Sequence, residues 1–217
     1  MTIPKAALLL LVALIALTAC NKLGPRSVSA ERTVTQPVKS GAPGEAPRGI
    51  PREPRNAADE LTTLKSPRIL VKKSERKLLL FSGNKLVRTY PIGLGLSPVG
   101  DKVRQGDRRT PEGDFYIFTK NDKSAFYLSL GVSYPNAAHA ERGLRDGLIT
   151  KEQYLAIMQA LRTGTAPPQN TRLGGDIYIH GNGAGSDWTW GCVALDDRDI
   201  RELFNVIPVG TPVRIQP

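Results

Sequence analysis

Two residues in this chain have the types and spacing for covalent catalysis. Cys192 ends the run Asp187-Trp188-Thr189-Trp190-Gly191-Cys192, and shortly upstream lies Ile179-His180-Gly181-Asn182-Gly183. A cysteine at its ordinary pKa is only a few per cent thiolate at neutral pH and needs a base. Histidine, with an unperturbed pKa of about 6.5, is the natural partner. Gly191 lets the backbone approach a substrate, and the amides of Gly191 and Cys192 could hold a developing oxyanion. Taken alone, Cys192 would equally suit a small, inert core position. The other histidine, His139, lies in the polar stretch Ala137-Ala138-His139-Ala140-Glu141-Arg142. It reads as surface or substrate loop, a flap rather than a base. With 2 Cys and 2 His in the chain, neither a disulfide framework nor a Cys/His zinc cluster can be built.

The elements that must position these residues are mostly strands. Ile69-Leu70-Val71, Lys77 to Phe81 and Lys85 to Ile92 are separated by the turn signals Ser74-Glu75-Arg76 and Ser82-Gly83-Asn84, a β-meander. Gly93, Gly95, Gly100 and Gly106 mark a loop, Phe115 to Thr119 suits another strand, and Ala125 to Leu130 its partner. Thr150 with Gln153 forms a capping box, and Tyr154, Ile157, Met158 and Leu161 follow at helical spacing. A helix over Lys151 to Arg162 is predicted, stopped by Gly164 and Pro167-Pro168. Asp176 to His180 is a short buried strand, Asp196 or Asp197 caps a helix through Phe204, and Pro212 to Ile215 closes the sheet. The fold class expected is mainly β, or α+β.

The first 66 residues read differently. After Lys5 an apolar run spans Ala6 to Leu17. As a helix it would rise only about 18 Å, short of a hydrocarbon core. A positive start, a short apolar stretch and small residues afterwards describe an export signal over 1–19. Its end, Leu17-Thr18-Ala19-Cys20, resembles the lipobox of bacterial lipoproteins, which implies that Cys20 is lipidated. If so, Cys192 is the remaining thiol. Asn21 stands where an Asp commonly marks inner-membrane retention, which favours the outer over the inner membrane of a Gram-negative cell. Residues 20–66 carry Pro25, Pro37, Pro43, Pro47, Pro51 and Pro54 without sustained periodicity, and read as a lipid-anchored tether of roughly 40 Å root-mean-square span. The domain proper is expected over 67–217.

Lys+Arg number 30 against Asp+Glu 20, a formal charge of +10. That balance favours anionic surroundings such as cell-wall polymer, membrane or nucleic acid. Export and the lack of a clustered Lys/Arg helix argue against nucleic acid.

The chemical segments resemble the catalytic domain of the L,D-transpeptidases, the YkuD-type family of cell-wall enzymes. That family's signature is a His-Gly, a variable stretch, then Ser/Thr-His-Gly-Cys; here stand His180-Gly181 and Thr189-Trp190-Gly191-Cys192. Gly106-Asp107-Arg108-Arg109-Thr110-Pro111-Glu112-Gly113 is similar to its Gly-Asp-x-x-Thr-Pro-x-Gly segment. Ser133-Tyr134-Pro135-Asn136 and Leu173-Gly174-Gly175-Asp176-Ile177 resemble the branch carrying Asp-Trp-Thr-x-Gly-Cys. The likeness runs from about Arg68 to Ile215. It implies a β-sandwich-like domain in which Cys192 is the nucleophile, His180 the base, the Gly181 carbonyl its orienter, and the Gly191 and Cys192 amides the oxyanion hole. Trp190, Tyr134 and Asn182 would line the substrate groove. Trp190 replaces the family's usual His, and Ala194 a residue that is often polar, so their relatives' substrate contacts do not carry over. The implied substrate is a peptidoglycan tetrapeptide stem, processed by a monomer through a Cys192 thioester with no metal or organic cofactor, in cell-wall biogenesis and cell shape. Two alternatives stand beside transpeptidation: hydrolysis by the same site, as an L,D-carboxypeptidase or a peptidoglycan–lipoprotein endopeptidase, and a non-catalytic wall-binding lipoprotein.

Overall fold

The computed structural model describes Leu61 and residues 64–217. The expected signal segment 1–19, Cys20 and nearly all of the expected tether lie outside the described residues.

The meander forms from short apolar runs separated by turns, and its side chains alternate in burial. In β1 (Pro67–Lys72) Ile69 and Val71 face inward, and in β2 (Lys77–Ser82) Leu78 and Leu80 do. β3 (Lys85–Pro91) completes the unit. β4 (Gly113–Ser124) and β5 (Tyr127–Val132) form a hairpin turned at Ala125-Phe126, so this strand starts later than the expected Ala125. Two helices follow, α1 (Ala137–Arg145) and α2 (Lys151–Thr163). Then come β6 (Tyr178–His180), β7 (Val193–Ala194), α3 (Asp197–Val206) and β8 (Pro212–Gln216).

The eight strands order β3-β2-β1-β8-β4-β5-β6-β7. β1 with β8 and β6 with β7 are parallel; the other pairs are antiparallel. β4 carries the bend. Its first residues pair with β8, its later ones with β5, and the register shifts between Ile117 and Thr119. The sheet curls until its ends meet: Gly93, just past β3, exchanges both main-chain hydrogen bonds with Ala194 of β7, at 2.9 and 2.8 Å. This closure places β7, and Cys192 before it, against the loop that follows the meander.

Inside the curl lie Val71, Leu80, Ile117, Leu130, Ile179 and Val193, with Ile200 and Leu203 of α3 packed on them. Each such side chain contributes about 1.5–3 kcal/mol by leaving water. Leu61 is buried in the same core and Leu64 packs against it, so chain N-terminal to Pro67 also joins the packing. No described helix is long and apolar enough to cross a membrane.

The capping box of α2 is present in both directions, and Gly164 ends the helix with φ 67°. α1 was not anticipated. Its short apolar stripe, Ala140 and Leu144, closes a separate small core with Ile149, Ile157 and Leu173. Asp196 occupies the N-cap position of α3 without capping by its side chain. Instead its carboxylate accepts from the Ala184 N–H at 3.0 Å, and that of Asp197 from the Asn182 N–H at 2.8 Å. The two acids therefore fasten the loop that leaves His180.

Candidate active site

Cys192 sits on a backbone held by loops. Its carbonyl accepts from the Thr189 hydroxyl at 2.8 Å and, more weakly, from the Thr110 hydroxyl at 3.4 Å. Thr110 Oγ1 in turn accepts from the Gly95 N–H at 3.0 Å. The Asp107 carboxylate organises the turn before Thr110: it accepts from the N–H groups of Val103, Arg104 and Arg109, and pairs with the buried Lys102 ammonium at 2.9 Å. Asp187 ties the other side, pairing with Arg76 at 2.6 Å and accepting from the Leu94 N–H at 2.9 Å. Gly191 has φ 132°, and a Cβ there would lie 2.7 Å from the Arg109 carbonyl oxygen, so a side chain fits neither the conformation nor the space.

His180 ends β6, opposite Ser129 of β5, and is 2% exposed. Its Nδ1 lies 2.8 Å from the Gly181 carbonyl, which can only accept. Nδ1 therefore carries the proton, and Nε2 is the basic nitrogen. Phe126 stacks on the imidazole at 4.6 Å between centroids, and Trp188 meets it edge-on at 5.5 Å. Trp188 is itself fixed by its indole N–H to the Gly183 carbonyl, 3.0 Å. Burial lowers the His180 pKa below its usual value, opposed by the Gly181 bond.

Both residues line one cavity of about 260 Å³, together with Phe126, Ser129, Asp176 and Tyr178. The thiol accepts from the Tyr178 N–H and donates to the Asp176 carbonyl, each at 3.4 Å. Burial pushes the thiol up to about 11, the Tyr178 N–H works against this, and the Asp176 charge adds to it. Among the described residues no hydrogen bond joins the thiol to His180. The pair is a neutral thiol and a neutral imidazole facing one cavity. That arrangement suits proton transfer concerted with attack on a bound carbonyl, rather than a preformed ion pair.

The expected contact between His180 and the Gly181 carbonyl is present. Other expectations need correction. The Gly191 N–H donates to Thr189 Oγ1 at 3.1 Å and is not free for an oxyanion; no acceptor among the described residues takes the Cys192 N–H. Tyr134 is wholly buried, with its hydroxyl donating to the Leu173 carbonyl at 3.0 Å, so it lines no groove. Asn182 is exposed at φ 75° and does not line the cavity. Trp190 is 68% exposed with the Arg108 guanidinium 4.8 Å over its ring, also outside the cavity lining. His139 is no flap. It is 1% exposed within α1, with one ring nitrogen on Asn136 and the other 3.0 Å from Asp101.

Sequence reasoning missed Phe126, Ser129, Asp176 and Tyr178 as cavity walls. Strand alternation carries part of the signal, since Tyr178 and His180 share one face of β6. Phe126 sits in a turn, and nothing in the spacing connects it to His180.

The family model for the L,D-transpeptidase catalytic domain, YkuD, matches residues 66–215. The chain belongs to this family of L,D-transpeptidase catalytic domains. It is 26% identical over 155 residues to the Bacillus licheniformis protein named "Putative L,D-transpeptidase YkuD", covering 69% of this chain and 66% of that one. Similar solved structures include Bd1075 from Bdellovibrio bacteriovorus, at 24% identity and TM-score 0.44, covering 70% of this chain and 48% of that one. The helical cell shape determining protein Pgp2 from Campylobacter jejuni is 18% identical with TM-score 0.44, over 74% of this chain and 54% of that one. The chain thus spans just under two thirds of the curated relative and about half of these structures.

Proposed function

We propose that this domain is a cysteine acyltransferase acting on peptidoglycan tetrapeptide stems, with Cys192 as nucleophile and His180 as general base. The observation that carries this reading is the meeting of Cys192 and His180 on one cavity, with Nδ1 of His180 held by the Gly181 carbonyl so that Nε2 is basic.

A stem peptide places the carbonyl of its diamino acid over Cys192. Sulfur attacks the carbon as the thiol proton passes to His180 Nε2, and the Cys192 N–H, free of other acceptors among the described residues, takes the developing oxyanion. The C–N bond to the terminal D-Ala breaks, and the imidazolium protonates the leaving amine. An acceptor amine then attacks the thioester, releasing the thiol. Water in place of the amine gives hydrolysis by the same acyl-enzyme.

Incubation of the soluble domain with purified muropeptides, read by mass, tests the proposal. Crosslinked or exchanged products are expected; loss of D-Ala alone would make the enzyme a hydrolase, and no change in any muropeptide would defeat both readings. The apolar run Ala6 to Leu17 and the ending Leu17-Thr18-Ala19-Cys20 support export and anchoring through lipidated Cys20, which would hold the domain beside the wall in the periplasm. Radiolabelled palmitate should enter the protein and be lost in Cys20→Ala; equal labelling of both would remove the anchor.

A further inference from the structure

The wall of the cavity contains one charged side chain that the mechanism above does not use. Asp176 lines the cavity beside Cys192 and His180, and its own carbonyl accepts the thiol proton at 3.4 Å. Among the described residues its carboxylate has neither a hydrogen bond nor an ion-pair partner. Yet the residue is not loosely placed. Its backbone sits at φ 54°, a left-handed conformation uncommon for residues with a side chain. The Asp176 N–H is held there at 2.8 Å by the Gln169 side-chain oxygen, whose amide nitrogen donates to the Tyr134 carbonyl at 3.2 Å. Gln169 in turn packs where Gly175 leaves room, since a Cβ on Gly175 would lie 2.3 Å from the Gln169 carbonyl oxygen. A support built on Gln169 therefore holds an exposed, unpaired negative charge at the edge of the thiol's cavity.

The cation that acts on the site is engaged elsewhere. Lys102, whose charge acts on Cys192, pairs with Asp107 at 2.9 Å. An anion so placed binds a cation, and the amine acceptor of the transfer half-reaction enters as a primary ammonium. We propose that Asp176 is the acceptor-binding residue: its carboxylate captures the ammonium of the incoming stem peptide next to the Cys192 thioester and so favours transfer over hydrolysis. The inference rests on the acyltransferase reading and names the second substrate by its chemistry. In the step itself the ammonium sheds one proton to solvent and its nitrogen attacks the thioester carbon. The C–N bond forms, the C–S bond breaks, and a second nitrogen-bound proton passes through His180 Nε2 to the departing sulfur.

Asp176→Asn isolates the charge, because asparagine tolerates the left-handed conformation and keeps the shape. The measurement is the ratio of transpeptide to hydrolysis product from a tetrapeptide donor, at a fixed acceptor-stem concentration. Both products leave the same acyl-enzyme, so the ratio is independent of any change in acylation rate caused by removing a charge beside the thiol. The ratio should fall about tenfold in Asp176→Asn, and raising the salt concentration should lower it in the wild type but not in the variant. Asp176→Glu should recover part of it. An unchanged ratio, or a wild type that yields only hydrolysis product, overturns the proposal while leaving the acyl-enzyme intact. Absence of any acyl-enzyme by intact mass in the wild type would instead defeat the acyltransferase reading, and this inference with it.

Discussion

The two histidines occupy the same depth in the protein and are held in opposite ways. His180 and His139 are 2% and 1% exposed. His180 spends one ring nitrogen on a main-chain carbonyl and lines a cavity that also contains a thiol. His139 spends both, on Asn136 and on Asp101, whose carboxylate also pairs with Arg142 at 3.0 Å. Tyr134 and Phe115 pack around the His139 ring, whereas His180, beside Phe126 and Trp188, lines the cavity that holds Cys192. A base needs an unoccupied nitrogen with somewhere for a reactant to sit. Burial alone does not distinguish a catalytic histidine from a structural one; the use of the second nitrogen does.

The largest expected effect separates the two in chemistry. Acylation of Cys192 by a carbapenem, used as a thiol-directed acylating probe, should be absent in Cys192→Ala. In His180→Ala it should be slower by roughly 10²–10⁴-fold, the usual contribution of general-base assistance. In folded His139→Ala it should change by less than about tenfold. Intact mass against time, with circular dichroism to verify folding, measures all three. A dead but folded His139→Ala would reverse the assignment.

Stability should show the converse. Removing the His139 ring leaves Asp101 one partner short and opens space between Tyr134 and Phe115. We expect a loss of about 2–4 kcal/mol, seen as a midpoint lower by about 5–15 °C for a domain of this size. A midpoint within about 2 °C of the wild type would show that the α1 histidine is dispensable to the fold.

The smallest effects are in pH dependence, and they have opposite signs at the two ends. Burial would raise the Asp101 carboxyl, but the bonds from His139, the Glu112 N–H and Arg142 outweigh it and hold the group at about 2. The unfolded chain then binds more protons between about pH 4 and 2, so stability is lost as pH falls through that window. His180, lowered by burial, contributes in the same direction just below its ordinary value. Cys192, raised by burial to about 11, keeps its proton in the folded state while the unfolded thiol loses it, so stability falls as pH rises from about 9 to 11. Acylation should rise as His180 loses its proton below pH 6.5 and then stay level from pH 7 to 9. Thiolate absorbance that titrates near neutrality would show a preformed ion pair and remove the concerted proton transfer.

Much of this was legible in the residues. The short apolar runs Ile69-Leu70-Val71 and Lys77 to Phe81, bounded by the turn signals Ser74-Glu75-Arg76 and Ser82-Gly83-Asn84, predict β1 and β2. Thr150, Gln153 and Gly164 mark the ends of α2, because capping is local chemistry. Cys192 and His180 were candidates from residue type and order alone. What escaped was non-local or ambiguous. α1 has too short an apolar stripe to announce itself, and it becomes a helix against Ile157 and Leu173 of its neighbours.

The residues along the chain determine that a thiol, a base and a strand-rich scaffold exist, since those follow from identity and short-range periodicity. Only the tertiary structure decides which nitrogen of which histidine is free, that the Gly191 amide is already taken by Thr189, and that Tyr134 is core. It also decides that Phe126 and Asp176 stand beside Cys192. Those outcomes depend on the closure of the curled sheet, where Gly93 meets Ala194 across a chain separation that no local pattern encodes.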